Sequence, residues 1–455
     1  MIAAPARSSS LGARGVLGER FARAVTAAVP EAVGTVSQVV GLSIEVVGLP
    51  GAVGDLVCIE AAGPSGTLAE VVAATLTALR CMPLAPVQGL RVGLHVRATG
   101  SALTVPTGPA LLGRVLDGLG RPLDGHPCPQ VGMSPPRVTV TGSAPAALER
   151  ARVDTPLSLG VRAMDTLITV GRGQRMGLFA GSGVGKSSLL SMIARGTEAQ
   201  VSVIALIGER GREVREFIED DLGPEGLARS VVVVATSDQP AMVRLRAAFV
   251  ATRIAEAFRA DGGDVVLMMD SLTRVAMAQR EIGLSVGEPP ATRGYPPSTF
   301  SLLAQLLERA GTGAHGSVTG IYTVLVDGDD HNEPVADAAR SILDGHVVLT
   351  RELATAGHYP AIDVLGSVSR VAGRVTTPQQ QSLALALRRV LAARRRAQDL
   401  LDVGAYAAGS DALVDAAVAH SGAIDAFLTQ DLGSPEMAAD SWERLARLIS
   451  QLGVS

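Results

Sequence analysis

Ala180-Gly181-Ser182-Gly183-Val184-Gly185-Lys186-Ser187 follows the apolar run Arg175 to Ala180 and opens a helical stretch near Ser188. A strand, a glycine-rich turn and a helix, with Lys and Ser closing the turn, make the phosphate-loop arrangement. The glycines let backbone N–H groups turn inward on phosphate oxygens, and the helix N-terminus adds a partial positive charge. Lys186 then reaches the β- and γ-phosphates, and the Ser187 hydroxyl can hold Mg2+. Ala180 stands where the pattern has its leading glycine. All but one of the forty basic residues are arginine, and the exception is Lys186. A compact ammonium and a wide planar guanidinium do not interchange in a tight phosphate cradle. Ala180, Gly181, Ser182, Gly183, Val184, Gly185, Lys186, Ser187 and Ser188 are therefore the candidate nucleotide site.

Around that loop, apolar strand runs alternate with helical segments from about Val153 to Val375. The strands are Arg175 to Ala180, Val201 to Ile207, Val231 to Ala235, Val265 to Met269, Ile321 to Val326 and Val347 to Thr350. That alternation predicts an α/β domain with a largely parallel sheet, over residues 151–376. Upstream, residues 30–100 carry short β-branched runs punctuated by glycine: Val36 to Val40, Leu42 to Val47, Leu56 to Ile59 and Leu90 to Val96. These predict a small barrel or sandwich. Residues 101–150, crowded with Gly and Pro, read as a connector, and 377–455 as a helical C-terminal domain. In residues 1–29, Leu17, Phe21, Val25 and Ala28 recur at helical spacing beside four arginines and Glu19, a basic amphipathic extension. It would suit a partner or an anionic membrane surface, or else be a frayed terminus.

The 455 residues suffice for about three domains. Hydrophobic residues are 47% and charged ones 18%, which places the chain among globular proteins. A net charge of −4 with 3% aromatics argues against a nucleic-acid binder, which shows a basic excess and stacking platforms. No apolar window approaches a spanning helix and no signal-peptide core is present, so a cytoplasmic location is expected. Cys58, Cys81 and Cys128 have no metal or redox spacing.

Two carboxylates complete the candidate chemistry. Val265-Val266-Leu267-Met268-Met269-Asp270 is a buried strand ending in a carboxylate, the place for the aspartate of a magnesium shell, although a helix N-cap reads the same way. Ile207-Gly208-Glu209-Arg210 lies at the end of the next strand after the loop helix, which makes Glu209 the candidate base for polarising an attacking water. A surface Glu paired with Arg210 or Arg212 is the alternative.

Longer motifs extend the picture. Asp270-Ser271-Leu272-Thr273-Arg274, Gly287-Glu288-Pro289-Pro290-Ala291-Thr292-Arg293-Gly294-Tyr295-Pro296-Pro297, and Pro360-Ala361-Ile362-Asp363 through Ser367-Val368-Ser369-Arg370 resemble the type III secretion ATPases, relatives of the catalytic subunits of rotary ATP synthases. The resemblance runs from about residue 30 to about residue 430. Arg229 to Asp238, and Val403-Gly404-Ala405-Tyr406 with Gly409-Ser410, are most like the flagellar export branch. What the resemblance implies is a RecA-like core with an N-terminal β-barrel and a C-terminal helical domain. It implies an ATP- and Mg2+-dependent homohexamer that energises protein export, with regulator and stalk proteins, substrates and chaperones as partners, no nucleic acid, and a place at the inner face of the membrane. Carried over, Lys186 and Ser187 keep their roles, Glu209 is the catalytic glutamate, Arg210 lies near the γ-phosphate and Asp270 sits in the magnesium shell. Arg370 becomes an arginine finger for the neighbouring subunit, and Tyr359 stacks on adenine with Tyr406 as a second wall. On the residues alone, Arg370 reads as a surface arginine after a turn and Tyr359 as a half-buried core tyrosine. The injectisome ATPases, and more distantly a rotary-synthase subunit, share most of these motifs.

Overall fold

The computed structural model describes residues 32–60, 66–126, 136–326 and 333–454. The predicted 1–29 helix and Cys128 lie outside them. Two compact units are present, one reaching to Ser101 apart from residues 83–86, the other comprising the rest.

In the first unit, Val33–Val40, Ser43–Val47, Asp55–Ile59, Thr67–Ala74, Ala78–Pro83 and His95–Ala102 close into a barrel. Its order is first, second, fifth, fourth, third, sixth. Alternate residues such as Val36, Ile44, Val46, Val57, Ile59, Val71, Leu79 and Val96 point into one apolar core. The expected strand Leu90 to Val96 instead begins at His95, because Gly89 and Gly93 take left-handed conformations that break an extended run. Thr67–Ala74 and Ala78–Pro83 are not among the expected strands: the first dilutes Val71 and Val72 with three alanines and Glu70, and the second holds no β-branched residue.

The second unit is built on a nine-stranded sheet. Its main order is Ile362–Ser369, Gly345–Leu349, Arg175–Ala180, Ser317–Leu325, Asp264–Asp270, Val201–Ile207, Ser230–Ala235, Arg114–Asp117. The pairings along it are parallel except at Ile362–Ser369, which runs antiparallel to Gly345–Leu349. The central strands are buried along nearly their whole length, which is why they read as unbroken apolar runs. Arg114–Asp117, inside the stretch expected to be a connector, pairs with Ser230–Ala235 and forms the sheet's edge. The helix Pro378–Asp402 starts from a capping box in which the Thr377 hydroxyl accepts from the Gln380 N–H. Leu387, Val390, Ile424, Phe427, Leu445 and Leu448 of the C-terminal helices share one core with Leu189 and Ile193 of the loop helix. Among the described residues, no helix is long and apolar enough to cross a membrane.

Candidate active site

The strand Arg175–Ala180 delivers the chain to the loop at its C-terminal end, the edge where open α/β sheets bind ligands. Ala180 is still in extended backbone with its methyl in the core, so no glycine is required there. Val184 is buried as well. The loop turns at Gly183 and Gly185, both with positive φ, and the helix Lys186–Gly196 starts at Lys186. Gly181, Ser182, Gly183, Gly185, Lys186, Ser187 and Ser188 line a cavity of about 1820 Å³, with the unpaired N–H groups of the helix's first turn at its floor.

The sheet brings the two predicted carboxylates to Lys186. Asp270 ends its strand opposite Leu206, and the chain passes from Ile207 through Gly208 to Glu209. Lys186 Nζ lies 2.5 Å from Asp270 Oδ1 and 3.5 Å from Glu209 Oε1. Asp270 is almost fully buried, and its Oδ1 also accepts from the Thr323 hydroxyl at 2.8 Å. Burial works against the Lys186 charge, yet the two facing carboxylates outweigh it and hold the ammonium above the ordinary lysine value. Burial raises the Glu209 carboxyl, the charge of Asp270 adds to the rise, and Lys186 only partly opposes it. A base lifted toward neutral pH, beside a phosphate loop, suits proton abstraction from water. The surface alternative for Glu209 does not hold, because Arg210 pairs with Glu213 and Arg212 with Glu216.

Arg210 lines the cavity with its guanidinium exposed. Tyr359 reaches the cavity from the loop before Ile362–Ser369, and its half-exposed ring sits over the phosphate loop: a Cβ added at Gly185 would lie 3.3 Å from it. Arg274, not singled out from the sequence, also lines the cavity. Ser271 caps its helix, the arginine stem lies so close to Gly208 that a Cβ there would come within 2.9 Å, and its charge acts on Glu209. Its place four residues after the strand-ending Asp270, on the first turn of the helix that follows, was the available signal.

Two predicted residues lie elsewhere. Tyr406 does not wall the cavity. Its ring packs among Ala393, Ala397, Leu401 and Val414, and its hydroxyl donates to Asp411 O and Asp415 Oδ1, so the helical domain consumes the side chain. The residues that do form the wall facing the loop include Gln430, Leu432, Pro435 and Met437. Arg370 follows the edge strand Ile362–Ser369, outside the cavity lining. It is exposed, with its guanidinium 3.4 Å from Arg340 O.

Residues 160–369 match the ATP synthase alpha/beta family, nucleotide-binding domain, and residues 376–447 the T3SS EscN ATPase C-terminal domain. The flagellum-specific ATP synthase of Bacillus subtilis (strain 168) is 51% identical over 417 residues, 91% of this chain and 94% of its own. This chain belongs to the ATP synthase alpha/beta family, in its type III secretion branch. The Type 3 secretion system ATPase of Xanthomonas euvesicatoria is 50% identical over 408 residues, 89% of this chain and 91% of its own. Among solved structures, the assembled ATPase EscN of enteropathogenic E. coli superposes with a TM-score of 0.86 at 44% identity, covering 91% of this chain and all of EscN. EscN in complex with its central stalk EscO gives 0.85 at 42%. A family ATPase is accordingly an enzyme that hydrolyses ATP, and the barrel, RecA-like core and helical C-terminus described above are the family's architecture.

Proposed function

We propose that this chain energises protein export through a bacterial flagellar type III secretion apparatus, hydrolysing Mg2+-ATP as a cytoplasmic homohexamer on the inner face of the membrane. The observation that carries the chemistry is the convergence of Lys186, Asp270 and Glu209 at the phosphate loop. The export assignment draws on the flagellum-specific relatives, which match this chain over nine-tenths of its length.

Among the described residues no cluster of three His, Cys, Asp or Glu is built to hold a metal alone. That fits Mg2+, which takes one or two protein oxygens and completes its shell with water and phosphate. The hard oxygens of Ser187, exposed on the first helical turn, and Asp270 suit that role. Bound there, the ion neutralises charge developing on the transferring phosphoryl group. Lys186, the loop N–H groups and Arg210 bind and orient the triphosphate; Glu209 takes a proton from the attacking water; Tyr359 stacks on the base. Arg370, exposed and outside its own chain's cavity, serves the nucleotide of a neighbouring subunit. A stalk protein is a partner by analogy with EscN and EscO, and regulator, substrates and chaperones complete the apparatus. The 151–376 core and the 377–455 helical domain act together in this reading, and the 1–29 extension provides contact with the membrane or regulator.

Deleting the gene in its own bacterium tests the assignment. Loss of ATP-dependent flagellar protein export, restored by the wild-type chain and not by Lys186→Ala, supports it. Intact flagella with a lost host-directed secretion would favour the injectisome reading, for which the EscN likeness stands.

A further inference from the structure

The wall of the cavity facing the phosphate loop is held by one buried amide. Gln430 is 8% exposed and follows the helix Ser421–Leu428. Its Oε1 accepts from the Arg162 N–H at 2.8 Å, and its Nε2 donates to Gly160 O and to Ser434 O, both at 2.8 Å. Its own backbone N–H donates to the carbonyl of Tyr359 at 2.9 Å. One side chain thus joins the start of the core domain to the loop between the last two C-terminal helices, while its backbone grips the residue whose ring overlies Gly185.

Arg162 reinforces the same junction from beneath. Its guanidinium donates to the carbonyls of Ala426, Phe427 and Thr429, satisfying the C-terminal end of Ser421–Leu428, and pairs with Glu436 at 2.7 Å. A buried polar group so fully engaged has one low-energy position, because breaking any bond leaves a desolvated partner behind.

We propose that Gln430 is a positioning residue for the base subsite: its side-chain latch to Gly160 and Arg162 fixes the backbone that holds Tyr359, and so sets the stacking geometry offered to the nucleotide base. This rests on the reading that Tyr359 stacks on the base. The phosphate loop makes none of these bonds, so the latch acts on the base and not on the phosphates.

The test compares ATP with inorganic tripolyphosphate, which carries the phosphates and no base. Gln430→Met keeps length and volume while deleting the amide. It should weaken ATP binding by roughly five- to twenty-fold, a share of the worth of one base–aromatic stack, and leave tripolyphosphate binding within about twofold. Equal weakening of both ligands, or an unchanged ATP affinity, overturns the proposal. Should Gln430→Met fail to fold, Gln430→Glu serves in its place, since it keeps the acceptor for Arg162 and loses the donor to Gly160 and Ser434, with the same two outcomes. Tyr359→Ala separates the layers. Unchanged ATP affinity in that variant refutes the stacking reading itself, whereas a weakened one beside an unchanged Gln430→Met refutes the role of Gln430 alone.

Discussion

Glu209→Gln separates binding from chemistry. The substitution keeps the shape of the side chain and removes its charge. Lys186 faces two carboxylates, at 2.5 Å from Asp270 and 3.5 Å from Glu209. Because Coulomb attraction falls as the inverse of distance, Glu209 supplies roughly two-fifths of that pairing and Asp270 the rest. Lys186 stays anchored in the variant, so the Kd for ATP should change by no more than about threefold, or ~0.7 kcal/mol. Turnover is another matter. A positioned general base is worth roughly 10²–10⁴ in rate, which at ~1.4 kcal/mol per decade is about 3–5.5 kcal/mol of barrier. Steady-state phosphate release should fall by that factor while a fluorescent ATP analogue still binds. The pH profile adds an independent reading. Burial and the charge of Asp270 raise the Glu209 carboxyl, so wild-type kcat should climb with pH as the base loses its proton, along a limb above the ordinary glutamate range. That limb should vanish in Glu209→Gln. Turnover within tenfold of wild type, or a limb that persists, would refute the assignment.

Arg370→Ala alone should cost roughly 10³–10⁵ in turnover if its guanidinium completes a neighbour's site, and mixing it with Lys186→Ala should restore part of the activity in hexamers; mixed hexamers without recovery would exclude the trans role. Gly185→Ala places a Cβ at φ +90° and 3.3 Å from the Tyr359 ring; left-handed strain of about 1–2 kcal/mol is carried with or without nucleotide and should appear as a lowered Tm by thermal unfolding, and an unchanged Tm would show that the loop tolerates the methyl. Asp165 is buried under the N–H groups of Leu159 and Gly160, and burial lifts its carboxyl to about 7. A carboxyl so raised contributes fully to stability below its unfolded value, near 4, and that contribution is lost as pH rises through about 7. The gap in Tm between Asp165→Asn and wild type should therefore move in the variant's favour between pH 5 and pH 8, and a constant gap would contradict it.

What could be read without coordinates follows from how locally each feature is encoded. The phosphate loop is contiguous, and its neighbours Glu209 and Asp270 end apolar runs, so the parallel sheet had only to carry three strand ends to one edge. Arg175–Ala180 and Val201–Ile207 were visible because strands buried on both faces are uniformly apolar. Arg114–Asp117 was hidden: a four-residue edge strand with Arg and Asp at its ends looks like linker until Ser230–Ala235 offers it a partner. The cavity wall facing the phosphate loop was hidden for a different reason. Gln430 meets Tyr359 across some seventy residues of chain, with Pro435 lining the same cavity, and no spacing rule reaches that far. Tyr406 entered the site only through the resemblance, whereas here Asp415 and the apolar faces of two helices claim it.

The solitary, carboxylate-paired ammonium also turns the molecule into its own reporter. Apart from the chain's first amine, a reagent that acylates amines finds a single target, and that target is the side chain proposed to grip the phosphates. Labelling of the tryptic peptide that carries it, counted by mass with and without nucleotide, measures occupancy directly and needs no engineered probe. The same fact rules out amine-to-amine cross-linkers as a means of freezing assemblies of this chain through lysine side chains, so carboxyl-directed or photoactivated reagents have to take that role.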